Sequence, residues 1–393
     1  MTHLSTPTPQ GRLPLRAVQV LGGGSAGSSA HVRSLASGLV ARGVQVTVCA
    51  PAGLEQTYDF TGAGARFVAV PRRSDPVSVA ALRTETADAD LVHAHGLDAG
   101  ARTTLALTAL RRPPGHRSPP LVVTWHNHRH AEGARARLQG LVERRVARSA
   151  SVVFGTSSAL VDRARSRGAR DARLAPIAFP PPRRAPESER DQEPRDDDGG
   201  TGTGPKARAE LGAVERPLLM AVGSLHPERG YGTLLDATRA WNSLDPVPLL
   251  VIAGEGPERA ALQGRIDAES LPVRLAGRRD DVAELLAAAD VAVLPSRWES
   301  RSLLAQEALH AGVPLVATAV GGVPELVGEA ADLVPYGDAA ALARAVTRLL
   351  ADPERRASLR AKGLAQAATW PSEDDTVTQV LSVYDELARP SPL

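Results

Sequence analysis

Two glutamates, Glu299 and Glu307, lie eight positions apart where a predicted strand is followed by a helix. If this helix begins near Ser302, the free backbone amides of Leu303 and Leu304 point away from the carboxyl edge of the sheet. Amides in the first turn of a helix can hold a phosphate. Glu307 lies along the same helix, where its carboxylate can accept both hydroxyls of a ribose. The spacing therefore predicts a site for a nucleoside diphosphate.

A cation is needed beside these two carboxylates, because they would otherwise repel a diphosphate. Arg229 follows the first predicted strand of the second half of the chain and is placed to supply that cation. A glycosidase pair is an alternative interpretation of Glu299 and Glu307, with a sugar ring between the two carboxyl groups. Binding of a diphosphate at the intervening helix start argues against this alternative.

A glycine-rich segment, Gly22-x-Gly24-x-x-Gly27, follows the first predicted strand and opens a helix. Such glycines let the backbone approach a pyrophosphate, as in dinucleotide-binding enzymes. Those enzymes also place an acidic residue at the end of the second strand to bind the ribose. Here that strand ends at Cys49-Ala50-Pro51, and Glu55 lies beyond the next turn. The sequence therefore disfavours a nicotinamide enzyme, and we expect no cofactor.

Histidine and aspartate clusters could suggest a metal site. His126, His128 and His130 alternate along the chain, but no carboxylate or cysteine nearby completes a ligand set. Asp88-x-Asp90 and the run Asp196–Asp198 have the spacing of an acidic metal motif. Asp90 belongs to a predicted strand, however, and the run lies in a segment that is too polar to form a core. We therefore expect no metal ion.

Alternating strands and helices position these residues, a pattern typical of doubly wound parallel sheets. The predicted strands of the first half are Leu15–Leu21, Val44–Cys49, Arg66–Val70, Leu91–Ala94, Leu121–Thr124 and Ser151–Phe154. Those of the second half are Leu218–Val222, Leu249–Ala253, Val291–Pro295 and Pro314–Ala317. The helices between the latter are predicted near Gly232–Trp241, Glu258–Glu269, Asp281–Ala288 and Leu303–His310.

This pattern divides the chain into four parts. Residues 1–180 form a first α/β domain, and residues 211–370 form a second one. Between them, residues 181–210 are rich in Pro, Arg, Asp and Gly and lack large aliphatic side chains, which predicts a flexible linker. Residues 371–393 carry a last helix, predicted from Ser372 to Ala388.

The composition limits the class of protein. With 43% hydrophobic and 23% charged residues, the chain is typical of a globular protein, and its apolar stretches are too short to span a bilayer. The lone cysteine, Cys49, lies in an apolar run and is interpreted as a small buried residue in a reducing compartment. The N-terminal segment makes a poor signal peptide. We therefore expect a cytoplasmic protein.

The charge is distributed unevenly along the chain. The part up to Pro180 has 23 basic and 11 acidic residues, whereas the remainder has 23 basic and 33 acidic residues. Electrostatic attraction between the two halves explains this split as well as an anionic partner does. The basic stretch Arg129–Arg148 is either a solvated helix face or a surface for the inner face of an anionic membrane. Because the arginine excess is also explained by coding bias, we expect no nucleic-acid partner.

Several segments together resemble the family 4 retaining glycosyltransferases of GT-B fold. The pair Glu299-x7-Glu307 is among the most specific marks of that family. Other segments match in order and spacing, namely Gly27-Ser-Ser-Ala-His31-Val32, Asp90-Leu-Val-His93-Ala-His95, Val122-Val-Thr-Trp-His126-Asn127, Arg229-Gly230, Ala253-Gly254-Glu-Gly256-Pro257 and Gly321-Gly322-Val-Pro-Glu325. The resemblance covers nearly the whole chain, and it implies two Rossmann-like domains that face a central cleft.

The resemblance also implies the reaction and its residues. A sugar would pass, with retained configuration and without a metal ion, from a UDP- or GDP-sugar to an unidentified acceptor, such as a lipid or a cell-envelope glycan precursor. The acceptor would enter from the first domain, and the last helix, in residues 371–393, would cross back to pack on that domain. The implied catalytic residues are His126, Arg229 and Glu299. The implied donor-binding residues are Gly27, Ser224, Arg229, Leu303, Leu304 and Glu307. By contrast, His93 and His95 flank the end of a buried strand and are interpreted as packed or hydrogen-bonded there.

The chain departs from the family pattern at three places, the first being Arg229, where the family usually has lysine. Ser224 stands where the family usually has arginine, and Ser300-Arg301-Ser302 replaces the usual Pro-Phe-Gly. Arg301, Arg278 and Arg279 are candidates to replace the missing cation. These departures leave two alternatives open, a nucleotide-sugar epimerase and a non-catalytic relative that binds a sugar or scaffolds a partner.

Overall fold

The computed structural model describes residues 14–23, 26–71, 75–108, 118–128, 132–175, 177–178 and 203–388. These residues form two parallel β-sheets with helices on both faces. Some residues named in the sequence analysis lie outside this described part, namely Gly24, Arg129, His130, Pro180 and Asp196–Asp198.

The first sheet has seven strands in the order β3-β2-β1-β4-β5-β6-β7. Its strands are β1 (Arg16–Leu21), β2 (Gln45–Ala50), β3 (Arg66–Ala69), β4 (Leu91–His95), β5 (Leu121–Trp125), β6 (Val152–Gly155) and β7 (Ala172–Leu174). Its helices are α1 (Ala26–Ala41), α2 (Ala52–Tyr58), α3 (Pro76–Glu85), α4 (Leu97–Thr108), α5 (Gly133–Ser149) and α6 (Ser158–Ser166). All residues of β4 and β5 are buried, as expected for parallel strands covered on both faces.

The second sheet has six strands in the order β10-β9-β8-β11-β12-β13. Its strands are β8 (Leu218–Val222), β9 (Leu249–Ala253), β10 (Val273–Gly277), β11 (Val291–Leu294), β12 (Leu315–Thr318) and β13 (Ala331–Val334). Its helices are α7 (Thr203–Leu211), α8 (Tyr231–Thr238), α9 (Arg259–Glu269), α10 (Val282–Ala287), α11 (Leu303–His310), α12 (Val323–Val327), α13 (Ala339–Ala351) and α14 (Pro353–Ala368).

These two sheets confirm the predicted α/β class, with each predicted strand displaced by at most one residue at either end. Strands β7, β10 and β13, one at an edge of the first sheet and two at the edges of the second, are missing from the prediction. Cys49 is fully buried, and burial raises the pKa of its thiol to about 12. This burial agrees with its interpretation as a small core residue.

Helix α7 corrects the last part of the predicted linker. Residues 203–210 were assigned to a flexible segment, but they form most of this helix. Its residues Ala207 and Leu211 are buried in the core of the second domain. Arg208 donates hydrogen bonds to the Ala288 carbonyl (2.8 Å) and to Asp290 (3.1 Å). The earlier part of the linker, residues 181–202, lies outside the described residues.

The last helix, α15 (Glu373–Ala388), packs on the first sheet's helix α1 although it follows the second domain in sequence. Val377 lies directly against Gly38 of α1, where an added Cβ would be only 2.5 Å from the valine side chain. Val380 and Tyr384 are buried in the core of the first domain. The chain therefore crosses between the domains twice.

Candidate functional site

The order of the second sheet reverses direction between β8 and β11, so the loops that leave these two strands diverge at its carboxyl edge. Crevices at such switch points are the usual ligand sites of open parallel sheets. The loop after β8 carries Arg229, and the loop after β11 carries Glu299. The sequence-predicted residues of the second domain therefore lie at the same edge of the sheet.

Arg229 ends a short 3-10 turn, Pro227–Arg229, that is pressed against the loop after β11. Gly230 has a φ of 72°, and a Cβ there would be 2.0 Å from the carbonyl oxygen of Pro295. The amide of Arg297 also donates to the Glu228 carbonyl at 2.8 Å. Only glycine fits at position 230, and this close fit fixes Arg229 relative to the loop that carries Glu299.

Arg229 and Glu299 form an ion pair, in which Nη1 of the arginine contacts Oε1 of the carboxylate. The Ser296 hydroxyl donates to the same oxygen at 2.9 Å. Burial raises the pKa of Glu299, while the charge of Arg229 acts in the opposite direction. An arginine has five N–H donors, so a guanidinium that uses Nη1 on Glu299 keeps donors for a second anion.

The first turn of α11 follows directly after Glu299. The Ser302 side chain caps this helix by accepting from the Ala305 amide at 3.3 Å. Leu304 is buried, while Leu303 is 38% exposed. Among the described residues, no acceptor is recorded for the amides of Leu303 and Leu304, as expected at the start of a helix. These two amides are available to an anion.

Glu307, one turn further along α11, is half-buried. Within the described part of the chain its carboxylate has neither a hydrogen-bond donor nor an ion-pair partner. Burial raises its pKa to about 7. A half-buried carboxylate without a partner is costly, and its usual explanation is a ligand that supplies the missing donors.

Two glycines at the start of α12 support the Glu299 loop from behind. The Gly322 amide donates to the Glu299 carbonyl at 2.9 Å. A Cβ at Gly321 would lie 2.0 Å from that same carbonyl, and a Cβ at Gly322 would lie 2.3 Å from the Ser300 carbonyl. Side chains at these positions would therefore displace the backbone that carries Glu299.

On the first domain, His126 follows β5 at the carboxyl edge of its sheet. Its ring lies 5.6 Å from that of His95 and 5.8 Å from that of His31. Burial, followed by the influence of His31, lowers the pKa of His126 to about 3, so the ring is neutral. Its Nδ1 is buried, and no hydrogen-bond partner for it exists among the described residues.

The other two predicted donor-binding residues occupy different surroundings. Gly27 lies in the first turn of α1, at the carboxyl edge of the first sheet. Ser224 is exposed on the loop after β8, and its carbonyl accepts from the His226 amide at 2.9 Å.

The carboxyl edges of the two sheets face each other across contacts from the loop after β11. The Ser300 hydroxyl lies 2.6 Å from that of Thr156, which follows β6. The Trp298 ring stands edge-on to His128, with the ring centres 6.0 Å apart. Residues on both sides of Glu299 therefore contact the first domain, and the loops of both sheets line one cleft.

Of the three arginines that are candidates to replace the missing cation, Arg301 and Arg279 have partners elsewhere, although the buried Nη2 of Arg301 has no hydrogen-bond partner among the described residues. Arg301 donates from Nε to the Ile177 carbonyl at 2.8 Å and stacks on Trp370. Arg279 is paired with Asp281 and Glu210. Arg278 is largely exposed, 3.8 Å from a carboxylate of Asp280. Arg301 thus contacts the segment that leaves the first domain.

A cavity of about 460 Å³ opens on the first domain beside His95 and Trp125. One wall is formed by α5, where Glu143 is held by Arg163 (2.9 Å) and Arg167 (2.7 Å). Burial acts to raise the pKa of Glu143, but the hydrogen bond from Gln139, together with Arg163 and Arg167, lowers it on balance. This cavity could not be predicted from the sequence, because its walls come from segments whose proximity no periodicity reveals.

No group of three or more possible metal ligands occurs in the described ranges. His126 and His128 have different partners, since His126 contacts His95 while His128 lies 3.2 Å from Gln139. Asp90 forms an ion pair with Arg16 (3.0 Å) at the start of β1. Nδ1 of His128 also lies 3.8 Å from a carboxylate oxygen of Glu143, so a carboxylate does lie near this histidine, contrary to the sequence-based expectation. That carboxylate is already paired with Arg163 and Arg167.

Two family models match this chain one after the other. Residues 26–180 match the glycosyl transferase 4-like domain, and residues 205–366 match the glycosyl transferases group 1. The chain belongs to the family 4, group 1 glycosyltransferases. The first matched region contains the strands of the first sheet from β2 to β7, and the second contains the whole second sheet with Arg229, Glu299 and Glu307.

Curated relatives of this family member match over part of their length. A D-inositol 3-phosphate glycosyltransferase of Salinispora arenicola is 36% identical over 198 residues, which are 46% of this chain and 44% of the relative. A 2-deoxystreptamine N-acetyl-D-glucosaminyltransferase of Streptomyces fradiae is 32% identical over 148 residues, or 36% of this chain and 35% of the relative. The matches thus span less than half of the length of these relatives.

Solved structures share the architecture over almost the whole chain. The structure of HepE from Anabaena in complex with UDP-glucose has a TM-score of 0.75 at 20% identity, covering 94% of this chain and all of that one. WaaG, a glycosyltransferase of lipopolysaccharide biosynthesis, has a TM-score of 0.65 at 20% identity, with 95% and 99% covered. These likenesses confirm the GT-B fold that the resemblance implied.

Proposed function

We propose that this family member is a retaining glycosyltransferase that uses a nucleotide sugar, with UDP- and GDP-sugars as the candidate donors. The observation that carries the proposal is the helix α11. Its first amides, at Leu303 and Leu304, have no recorded acceptor, and Glu307 on the same helix has no partner in the described chain. An anion would accept from the two amides, and a pair of hydroxyl groups would donate to the Glu307 carboxylate. A nucleoside diphosphate supplies the anion in its phosphates and the hydroxyl groups in its ribose.

The donor would be held mainly by the second domain. Its diphosphate would accept from the amides of Leu303 and Leu304 and from the free donors of Arg229, and its ribose would donate to Glu307. Gly27 allows the backbone of α1 to approach the diphosphate from the other domain. The Ser224 hydroxyl replaces a cation at the same turn with a neutral donor. The likeness to HepE, which was crystallised with UDP-glucose, supports a UDP-sugar as the first donor to test.

Arg229 would act as the catalyst of leaving-group departure. Negative charge grows on the diphosphate as the sugar–oxygen bond breaks, and a preorganised guanidinium stabilises that charge. Glu299 is tied to Arg229 and Ser296, so its role in this proposal is to orient Arg229 and the donor sugar rather than to attack it. The acceptor hydroxyl would then attack the anomeric carbon on the face from which the diphosphate departs, which retains the configuration. The bond from that carbon to the diphosphate oxygen breaks, and the proton of the hydroxyl passes to that departing oxygen.

Metal independence is part of the same proposal. Divalent ions serve other transferases by neutralising the leaving diphosphate. Here Arg229 and the amide dipoles of α11 would supply that positive charge. We expect full activity after dialysis against EDTA, and activity that is restored only by added Mg²⁺ or Mn²⁺ would contradict this part.

The acceptor would enter through the first domain, where the cavity beside His95 is lined by both acidic and basic groups. The named relatives act on polyhydroxylated small molecules, an inositol phosphate and 2-deoxystreptamine. A small polyol or aminocyclitol therefore joins a lipid or a glycan precursor among the acceptors to test.

The test begins with the free protein and a panel of UDP- and GDP-sugars, because ligand binding raises the melting temperature by mass action. One donor class should stabilise the protein, and Glu307→Gln should remove the shift. Incubation with the acceptor panel should then give a product whose anomeric proton shows retained configuration by NMR. An inverted product would overturn the mechanism. Isomerisation of the donor without acceptor would indicate an epimerase, and absence of any nucleotide binding would indicate a non-catalytic relative.

A second, separate proposal concerns the cell membrane. On α5, Leu138 and Leu141 are 63% and 59% exposed beside the exposed Arg144, Arg145 and Arg148. None of these three arginines has a carboxylate partner among the residues that the structure describes. No described helix is long and apolar enough to cross a bilayer. We propose that this face of α5 associates with an anionic membrane from the cytoplasmic side.

Vesicle flotation tests this surface directly. The protein should float with vesicles that contain phosphatidylglycerol, and less so with pure phosphatidylcholine or at high salt, since charge attraction is screened. The double variant Leu138→Asn, Leu141→Asn should reduce flotation. A matched control, Leu364→Asn, changes an exposed leucine on α14 of the other domain. Equal flotation of all variants would refute the proposal.

A further inference from the structure

Tyr384 of the last helix reaches into the first domain and joins a buried polar chain below the cleft. Its hydroxyl accepts from the side-chain amide of Gln19, at 2.7 Å, and lies 2.7 Å from Nδ1 of His93. Nε2 of His93 lies 2.6 Å from the Thr124 hydroxyl. All four side chains are almost completely buried. Such groups carry a high cost unless each is hydrogen-bonded, so their proton positions are fixed by one another.

The chain continues from Gln19 to the site. The amide oxygen of Gln19 lies 2.8 Å from Nε2 of His95, and Nδ1 of His95 lies 3.4 Å from Nε2 of His126. Burial lowers the pKa of both histidines well below the usual value, so each ring carries one proton. Each ring therefore has one donor nitrogen and one acceptor nitrogen.

The orientation of the Gln19 amide sets the direction of the hydrogen bonds that lead from Gln19 through His95 to His126. Because its NH2 group faces Tyr384, its oxygen faces His95 and accepts, which places the proton of His95 on Nε2. Nδ1 of His95 is then an acceptor, so the proton of His126 lies on Nε2. Nδ1 of His126 is left bare, and this is the buried atom for which the described residues provide no partner.

We infer that Tyr384 is a positioning residue, which acts through Gln19 and His95 to hold the proton of His126 on Nε2 and to leave the buried Nδ1 as an unpaired hydrogen-bond acceptor. The inference rests on the proposed function, to which it adds that a hydroxyl of the donor sugar donates to this nitrogen. Tyr384 itself contacts neither the donor sugar nor the acceptor substrate. The last helix thus contributes to the site of the domain on which it packs.

Tyr384→Phe is the decisive change. Without the hydroxyl, the Gln19 NH2 group loses its hydrogen-bond acceptor, and no hydrogen bond then favours this orientation of the amide. If it turns over, its NH2 group donates to Nε2 of His95, the proton of His95 moves to Nδ1, and His126 must accept at Nε2 and carry its proton on Nδ1. The nitrogen offered to the sugar then changes from an acceptor to a donor.

Two-bond 1H–15N correlation NMR of protein labelled at histidine reads these protonation sites directly, and the signal missing from His126→Gln assigns the ring. Free wild-type protein should show His126 protonated at Nε2, and Tyr384→Phe should show the Nδ1-protonated form or a mixture. Val383→Ala, a neighbouring core residue without a polar group, should leave the ring as in wild type. A wild-type ring protonated at Nδ1, or an unchanged ring in Tyr384→Phe, would overturn the inference.

Kinetics provide the second measurement. With a nucleotide-sugar donor, Tyr384→Phe should lower kcat about tenfold, the equivalent of one neutral hydrogen bond. Val383→Ala should lower the melting temperature at least as much but leave kcat within about twofold. A common fall in kcat for both variants would show a merely structural role. If wild type transfers no sugar at all, the proposed function has failed, whereas the NMR result still decides the proton order.

Discussion

The ion pair of Arg229 and Glu299 combines a nearly buried carboxylate with a guanidinium that is one third exposed. Glu299 needs Arg229, because removal of one partner leaves a buried charge without compensation. The proposed catalysis needs Arg229 for a different reason, since the leaving diphosphate requires a cation. Stability and turnover therefore depend on the same side chain and must be separated by experiment.

Arg229→Ala should lower kcat by about 10²–10³-fold, because the charge that grows on the diphosphate loses its preorganised partner. The variant should also lose stability, as Glu299 is left unpaired. The double variant Arg229→Ala, Glu299→Gln should regain part of the melting temperature without regaining turnover. Turnover in the double variant close to that of wild type would show that Arg229 serves only the ion pair.

Glu307 makes donor binding depend on pH. Burial raises its pKa from an ordinary carboxyl value to about 7, so the ionised form that accepts two ribose hydroxyls prevails only above that pH. Affinity for a nucleotide sugar should therefore fall as the pH decreases below 7, by up to about tenfold per unit. Titration calorimetry with a nucleotide sugar measures this, since its esterified diphosphate keeps its charge in this range.

Glu307→Gln is the control for this pH dependence. Its amide does not titrate, so binding should be weak and nearly independent of pH between 5.5 and 8.5, a range of about three units centred on the raised value. A wild-type affinity that stays constant across the same range would show that Glu307 does not contact the donor.

At the scale of elements, the site depends on loops whose backbones approach too closely for a side chain. The turn at Gly230 touches Pro295 of the next loop, and this contact joins the cation-bearing loop to the glutamate-bearing one. Gly337, in the same domain, has a similar φ of 80°, but a Cβ there would meet no atom within 4 Å. Alanine substitutions at these two glycines therefore separate the free-energy cost of backbone strain from the cost of losing the close contact between the loops.

Gly337→Ala should cost about 1 kcal/mol, which is the strain of a side chain at positive φ. Gly230→Ala should cost about 1–3 kcal/mol more, because the loops must also move apart. Only Gly230→Ala should weaken donor binding, since it displaces Arg229. Chemical denaturation and calorimetry measure the two effects, and equal costs for both variants would contradict the close contact as a determinant of the site.

The strands and the helix that could not be predicted from the sequence are short and polar. Strand β7, Ala172–Leu174, has three residues with an arginine at its centre, and β10 is interrupted by Arg274. Neither shows the apolar run of a fully buried strand, because both lie at sheet edges. Helix α7 begins inside a stretch of turn-forming residues, and only packing of Ala207 and Leu211 reveals it.

The candidate site divides in the same way. Glu299, Glu307 and Arg229 could be predicted because their spacing fits a strand, a loop and a helix at one sheet edge. The polar chain below His126 could not, because Gln19 and Tyr384 are 365 positions apart and meet only when the last helix returns to the first domain. The position of His93 and His95 at the end of a buried strand predicts that they are packed or hydrogen-bonded. The structure confirms this prediction and shows their hydrogen-bond partners, Tyr384 and Thr124 for His93 and Gln19 for His95.

At the scale of the whole molecule, the Ser300-Arg301-Ser302 departure forms part of the contact between domains. Ser300 bonds to Thr156 of the first domain, and Arg301 binds the Ile177 carbonyl while it stacks on Trp370. Ile177 follows the last strand of the first domain, and Trp370 precedes the last helix. Arg301 therefore contacts residues next to both places where the chain passes between the domains. We predict that it holds the cleft closed instead of binding the diphosphate.

Arg301→Ala should therefore leave the affinity for the donor nucleotide within about threefold of wild type, because Arg229 and the α11 amides remain in place. Turnover should fall, since closure excludes water and completes the site. Small-angle X-ray scattering should show a larger radius of gyration, and limited proteolysis should cut between the domains sooner. Arg348→Ala, which removes an exposed arginine of α13 in the same domain, should change none of these. If Arg301→Ala instead abolishes nucleotide binding while the radius of gyration stays constant, Arg301 is the replacement cation that the sequence first suggested, and the cleft is held closed by other contacts.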